Sequence, residues 1–199
     1  MGKISSFLII GGILISLFIF GPVIKEELGY RFNQWGGVRY SLDVSLEFPQ
    51  SGLRPIVPID KEFGIVIPKI VVNAEIFPEI DPGNPQEFLP ILKKGVACAK
   101  GSAYPDEEGN VFLFNVGRDN AVFFLIGKLE KDDEIDIFYK NKRYKYEVTE
   151  KAVVSQEEPG QYVKEHTGGK TLTLQTGYPP GTTLKRLIVI ARQKTGAGT

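Results

Sequence analysis

One cysteine and one histidine are the groups in this 199-residue chain best suited to nucleophilic chemistry. A thiol attacks a carbonyl only as the thiolate, and it needs a neighbouring base or positive charge to reach that state near neutral pH. Cys98, in "GVACAKGSAYP", has no histidine beside it in sequence, and His166, in "VKEHTGGK", reads as a solvated turn residue. Unactivated cysteine is usually a small buried hydrophobe, and that is the first reading of Cys98. Two carboxylate clusters, Asp106-Glu107-Glu108 and Asp132-Asp133-Glu134, each sit in an apparent turn where solvation explains them. The remaining feature is "TLTLQTGYPPGTTLKRLIVIA", residues 171–191, which reads as two strands joined by a tight Pro-Pro-Gly turn. Its first strand alternates cleanly and then ends at Gly177, the residue that packs least in a strand.

The elements that must position these groups are mostly strands. "GIVIPKIVVNAEIF", "NVFLF" and "DEIDIFY", followed by "RYKYEVTEKAVVS" across a Lys-Asn-Lys turn, are short β-branched or alternating runs, and they imply an antiparallel sheet or barrel. The spacing predicts a helix in "DNAVFFLIGKLEK", with Asp119 or Asn120 as N-cap and Ala121, Phe124, Leu125 and Leu129 on one face. A second short helix is predicted in "NPQEFLPILKKG", ending at Gly95.

Lysine plus arginine equal aspartate plus glutamate at 24 each, so no net field draws the chain to nucleic acid, which is not an expected partner. A single cysteine permits no intrachain disulfide. Between Lys3 and Lys25 run 21 residues without a charge, which as a helix would span roughly 31 Å, about the thickness of a bilayer's hydrocarbon core. Residues 1–25 are therefore expected to be an uncleaved membrane anchor; "GPVIKEEL" supplies no cleavage site of the A-x-A kind. Lys3 and the free amino group ahead of the run favour a cytoplasmic N-terminus with the rest outside. Glycine and proline recur over residues 26–60, which read as a stalk holding at most one short strand, "YSLDVSLEF". The folded domain is expected over residues 61–194, with a short tail at 195–199.

Four blocks together resemble the sortases, membrane-anchored cysteine transpeptidases of bacterial surfaces. They are "IVIPKIVVNAEIF", "FLPILKKGVACAKGSAYPDEEGNVFLF", "NVGRDNAVFFLIGKLEKDDEIDIFYKNKRYKYEVTEK" and "TLTLQTGYPPGTTLKRLIVIA", in family order over about residues 63–192. The resemblance implies a mainly β fold: a closed sortase-like barrel of about eight strands with one or two short helices, behind an N-terminal transmembrane helix. It also implies a site of three residues. A cysteine ending one strand attacks the carbonyl of a sorting signal, a histidine protonates the leaving amine, and an arginine on the next strand steadies the oxyanion.

This chain matches that site only in part. Arg186, in "TTLKRLIVIA", stands where the family places its arginine. Gly177 stands where the family has its cysteine, in a strand otherwise of the family's T-L-x-T-C type. The histidine and its loop look deleted near Phe114–Val116, and an ungapped reading puts Val116 in its place. Cys98 falls where many relatives write histidine, near the expected floor of the substrate groove. The resemblance thus implies a pseudo-sortase that binds sorting-signal-like peptides or partners an active sortase. The alternative is an active transpeptidase or peptidase using Cys98 as a non-standard nucleophile. The clusters Asp106-Glu107-Glu108 and Asp132-Asp133-Glu134 resemble the calcium sites of some sortases, and no other cofactor is expected.

Overall fold

A computed structural model describes residues 2–42, 53–117, 122–157 and 159–194. The chain runs through α1 (Gly2–Trp35), β1 (Arg39–Leu42), β2 (Leu53–Ile56), β3 (Phe63–Ile67), β4 (Val72–Ile80), α2 (Pro85–Leu92), β5 (Val96–Ala99) and β6 (Asn110–Phe114). It continues through β7 (Glu134–Tyr139), β8 (Lys142–Ser155), α3 (Pro159–His166), β9 (Thr171–Tyr178) and β10 (Lys185–Gln193). Eight strands close a barrel in the order β10-β8-β7-β3-β4-β5-β6-β9. Most neighbours are antiparallel; β4 with β5 and β6 with β9 are parallel. A parallel pair needs a crossover, and α2 supplies the one from β4 to β5.

Alternation decides which side chains face inward. Ile65 and Ile67, Ala74 and Ile76, Val111 and Leu113, Ile135 and Ile137, Leu172 and Leu174, and Leu187 and Val189 all join one central apolar cluster. The opposite faces of β5 and β6 carry Ala97, Ala99 and Phe114 into a second cluster under Leu92 of α2. On β10, Ile188 and Ile190 face outward beneath Val163 of α3. The expected Lys-Asn-Lys turn between β7 and β8 is a tight hairpin in which Lys140 and Asn141 both have positive φ, the conformation that matches strand twist in a two-residue loop.

Several local expectations need correction. Of the helix foreseen in "DNAVFFLIGKLEK", Asp119, Asn120 and Ala121 lie outside the described residues; from Val122 onward the chain forms turns and a 3₁₀ turn, Ile126–Lys128, in place of an α-helix. The reason is a period of three: Phe123, Ile126 and Leu129 are fully buried in the barrel, a spacing that suits 3₁₀ geometry better than 3.6 residues per turn. Lys151 fastens this segment by donating from Nζ to the carbonyls of Gly127 and Leu129.

The stalk expected at 26–60 begins helical, because α1 continues unbroken to Trp35. Its second half meets the barrel through Glu27, which pairs with Lys128 at 2.8 Å, and Tyr30, which packs on the central cluster. The strand foreseen in "YSLDVSLEF" is seen as Arg39–Leu42, paired in parallel with β2; residues 43–52 lie outside the described residues. So does the tail at 195–199. Among the described residues no helix is long and apolar enough to cross a membrane, so the anchor at 1–25 is a proposal.

Candidate functional site

Three positions singled out in the sequence meet on the outer face of the barrel. Gly177 of β9 and Arg186 of β10 are direct cross-strand partners. Residues opposite each other across an antiparallel pair point to the same face. On the other side of β9, Phe114 of β6 pairs with Gln175. Val116 lies two residues past Phe114, as Gly177 lies two past Gln175. The chains stay adjacent there: Asn115 donates from its backbone N–H to the Gln175 carbonyl, and Thr176 Oγ1 donates to the Asn115 carbonyl at 2.8 Å. Val116 itself packs on the apolar cluster beneath α2. The row therefore holds an apolar side chain, a glycine and an arginine, with neither an imidazole nor a thiol.

Glycine at 177 is a matter of space. A Cβ at this position would overlap the Thr182 carbonyl oxygen and lie 3.0 Å from its carbon, far inside van der Waals contact. The β9–β10 turn thus folds its own backbone into the volume a residue-177 side chain would need. Thr182 is fixed there by its N–H and Oγ1, both of which donate to the Pro179 carbonyl. Arg186 adds to the clasp: its Nη1 donates to the Thr183 carbonyl at 3.1 Å and to the Lys185 carbonyl at 3.4 Å. Partial burial lowers the guanidinium's pKa from its ordinary value.

Cys98 is not on the groove floor. It pairs with Leu113, and both point into the barrel with the central cluster, while Ala97 and Ala99 take the outer face. It is 2% exposed, and burial pushes its thiol up to about 11. A thiol so placed is neither accessible nor ionised near neutral pH.

His166 is also placed differently from the expected solvated turn. It is the last residue of α3, half-buried and stacked on Tyr162 at 4.0 Å, with Nδ1 2.8 Å from the Tyr162 carbonyl and Nε2 3.7 Å from Glu150. Its contacts, with Tyr162 and with Glu150 of β8, serve the packing of α3 on the barrel.

The carboxylate clusters are engaged as structure. Asp106 pairs with Lys140 and Asp133 with Lys69, Glu134 meets Arg143, and Glu107 accepts the Tyr104 N–H. Among the described residues no three metal-ligating side chains come together.

Sequence reasoning missed two groups beside the row. Asn115, 1% exposed, donates from Nδ2 to the carbonyls of Leu92 and Gly95, and its Oδ1 has no partner among the described residues. Gln175, 9% exposed, likewise has no partner for Oε1 among the described residues. Alternation marks Gln175 as outward-facing and says nothing of what covers it, and Asn115 lies one residue past the end of β6, beyond the reach of that pattern.

Comparisons with known proteins bear on the family and the fold. A family model for the sortase domain matches residues 65–194. Sortase D of Bacillus subtilis (strain 168) is 32% identical over 132 residues, covering 65% of this chain and 62% of its own length. Among solved structures, the chain is similar to a Clostridium perfringens sortase D5 transpeptidase, with 27% identity, a TM-score of 0.55 and coverage of 70% of this chain and 82% of that one. It is also similar to sortase E1 of Streptomyces coelicolor, solved with a tripeptide in its active site, at 25% identity, a TM-score of 0.57 and coverage of 68% and 88%. The closed, mainly β barrel is thus that of a known design, and the chain belongs to the sortase family.

Proposed function

We propose that this protein is a membrane-tethered pseudo-sortase, which holds a sorting-signal-like peptide on the outer face of its barrel, or partners an active sortase there, without cleaving the peptide. The observation that carries this reading is the Thr182 carbonyl seated where residue 177 would bear a side chain. A chain that had merely lost its nucleophile would leave room for one, whereas here the turn is packed against the glycine. Thioacyl chemistry needs an accessible thiolate and an acid to protonate the leaving amine. Arg186 supplies neither. The Cys98 alternative finds no support in a thiol that is buried, turned inward and protonated.

The tether is supported by the 21 uncharged residues within α1 and by the exposure of its described apolar side chains Ile9, Ile10, Ile13, Leu14 and Ile15. A cytoplasmic N-terminus with the barrel outside follows from the charges flanking that run. The test is equilibrium binding of a fluorescent sorting-signal peptide to the full-length protein in detergent. Saturable binding with the peptide recovered intact supports peptide holding; absence of binding to any such peptide overturns it and leaves the partnering of an active sortase.

A further inference from the structure

The outer face beside Gly177 carries one unpaired acceptor and one unpaired donor edge. Gln175 Oε1 is buried and has no hydrogen-bond partner among the described residues. A buried amide oxygen left unpaired is costly, so its persistence points to a donor that arrives from outside the chain. Arg186 has five N–H donors in a fixed fork. Its bonds within the chain run from Nη1, to two backbone carbonyls; Nε and Nη2 make none among the described residues, and no carboxylate there pairs with it. Neutral carbonyls leave the charge of a half-buried guanidinium uncompensated, and the free Nε–Nη2 edge is the one a carboxylate grips with two bonds.

The two groups are diagonal neighbours. Gln175 pairs with Ile188, and Arg186 is two residues along the same face of β10. Such neighbours lie about 7–8 Å apart at Cα. That separation, shortened by two long side chains, suits a main-chain N–H and a carboxylate one residue further on. The Thr182 carbonyl closes the face just past this point, at Gly177. An extended peptide therefore has to end there.

Building on the peptide-holding reading, we propose that Gln175 and Arg186 form a subsite for the free C-terminus of a peptide. Gln175 Oε1 accepts a main-chain N–H, and the Nε–Nη2 edge of Arg186 takes the terminal carboxylate. The ligand class is a peptide already released from its former C-terminal neighbour, as distinct from an uncut signal running through the site.

The experiment offers the full-length protein in detergent micelles two libraries of N-acetylated tetrapeptides lacking Asp and Glu, one as free acids and one as C-terminal amides, and reads the retained peptides by mass spectrometry. Free acids are expected to be retained about tenfold over amides, the scale of a charge-assisted pair. Arg186→Gln should bring that ratio to about one, and Gln175→Leu should weaken both libraries alike. Arg186→Lys, which keeps the charge and loses the fork, should retain part of the preference, and it guards against a misfolded first variant. Equal retention of acids and amides by the unaltered protein overturns this subsite while leaving peptide holding intact. Retention of neither overturns both. Full displacement of the acids by an equal concentration of acetate would reduce the site to a simple anion contact and overturn it as well.

Discussion

The Thr182 carbonyl oxygen occupies the place where a Cβ of residue 177 would stand, so any side chain at Gly177 would collide with the turn between β9 and β10. Gly177→Ala should therefore destabilise the fold by about 1–3 kcal/mol, the usual range for overpacking. Gly168→Ala, where a Cβ meets nothing within 4 Å, should change stability by less than about 0.5 kcal/mol. Thermal melts of the two variants give the comparison, and equal melting temperatures would show that the turn yields without cost. Gly177→Cys should carry the same penalty, gain an alkylatable thiol as the turn is displaced, and still fail to transfer peptides. General-acid catalysis typically contributes about 10²- to 10⁴-fold, and groups acting as a unit recover little singly. Activity should arise only when a histidine and its loop are also grafted after Phe114.

Cys98 should resist thiol reagents near neutral pH in the folded protein and react fully on unfolding. Its thiol stays protonated to about 11 in the folded chain against an ordinary 9.0. Its contribution to stability is thus complete below about 9 and is lost as pH rises toward about 11. Melting temperature should fall less over that window in Cys98→Ala than in the parent. Rapid labelling of the folded protein would instead mean that the strand opens, and it would return the thiol to consideration as a nucleophile.

Asp136 is fully buried and held by Arg143, which donates from Nε at 2.7 Å and from Nη2 at 2.9 Å. Burial raises its carboxyl above the ordinary range despite that partner. Arg143→Ala should cost about 3–5 kcal/mol, because it strands a buried charge, and Asp136→Asn in the same chain should recover part of the loss. Chemical denaturation of the single and double variants measures the coupling; additive losses would show that the pair acts independently.

The full-length protein should sediment with membranes and resist extraction by high salt, and a version beginning at Lys25 should be released to the soluble fraction. Salt-sensitive association of the full chain would indicate a peripheral contact in place of a spanning helix.

The barrel was legible because its strands alternate so regularly: Leu172 and Leu174 against Thr173 and Gln175 state both the strand and its faces. The site row was legible because Gly177 and Arg186 sit on strands joined by a short turn, which fixes their register. The burial of Cys98 was legible from its residue type, but its inward direction was not, because "VACA" is small on both faces; pairing with Leu113 places it inside the barrel, away from the groove floor that the resemblance implied. The helix after Gly117 was misread because Phe123, Ile126 and Leu129 satisfy a period of three while Phe124, Leu125 and Leu129 also satisfy one near 3.6. The close approach of Thr182 has no sequence signal beyond the glycine itself, since it is a contact between backbone and absent side chain.

The most direct test is to incubate the full-length protein with a sorting-signal peptide and an amine acceptor and then weigh both peptide and protein by mass spectrometry. The account predicts an unchanged peptide and a protein without covalent adduct over hours. A cleaved or amine-extended peptide, or an acyl group found on Cys98, would contradict it.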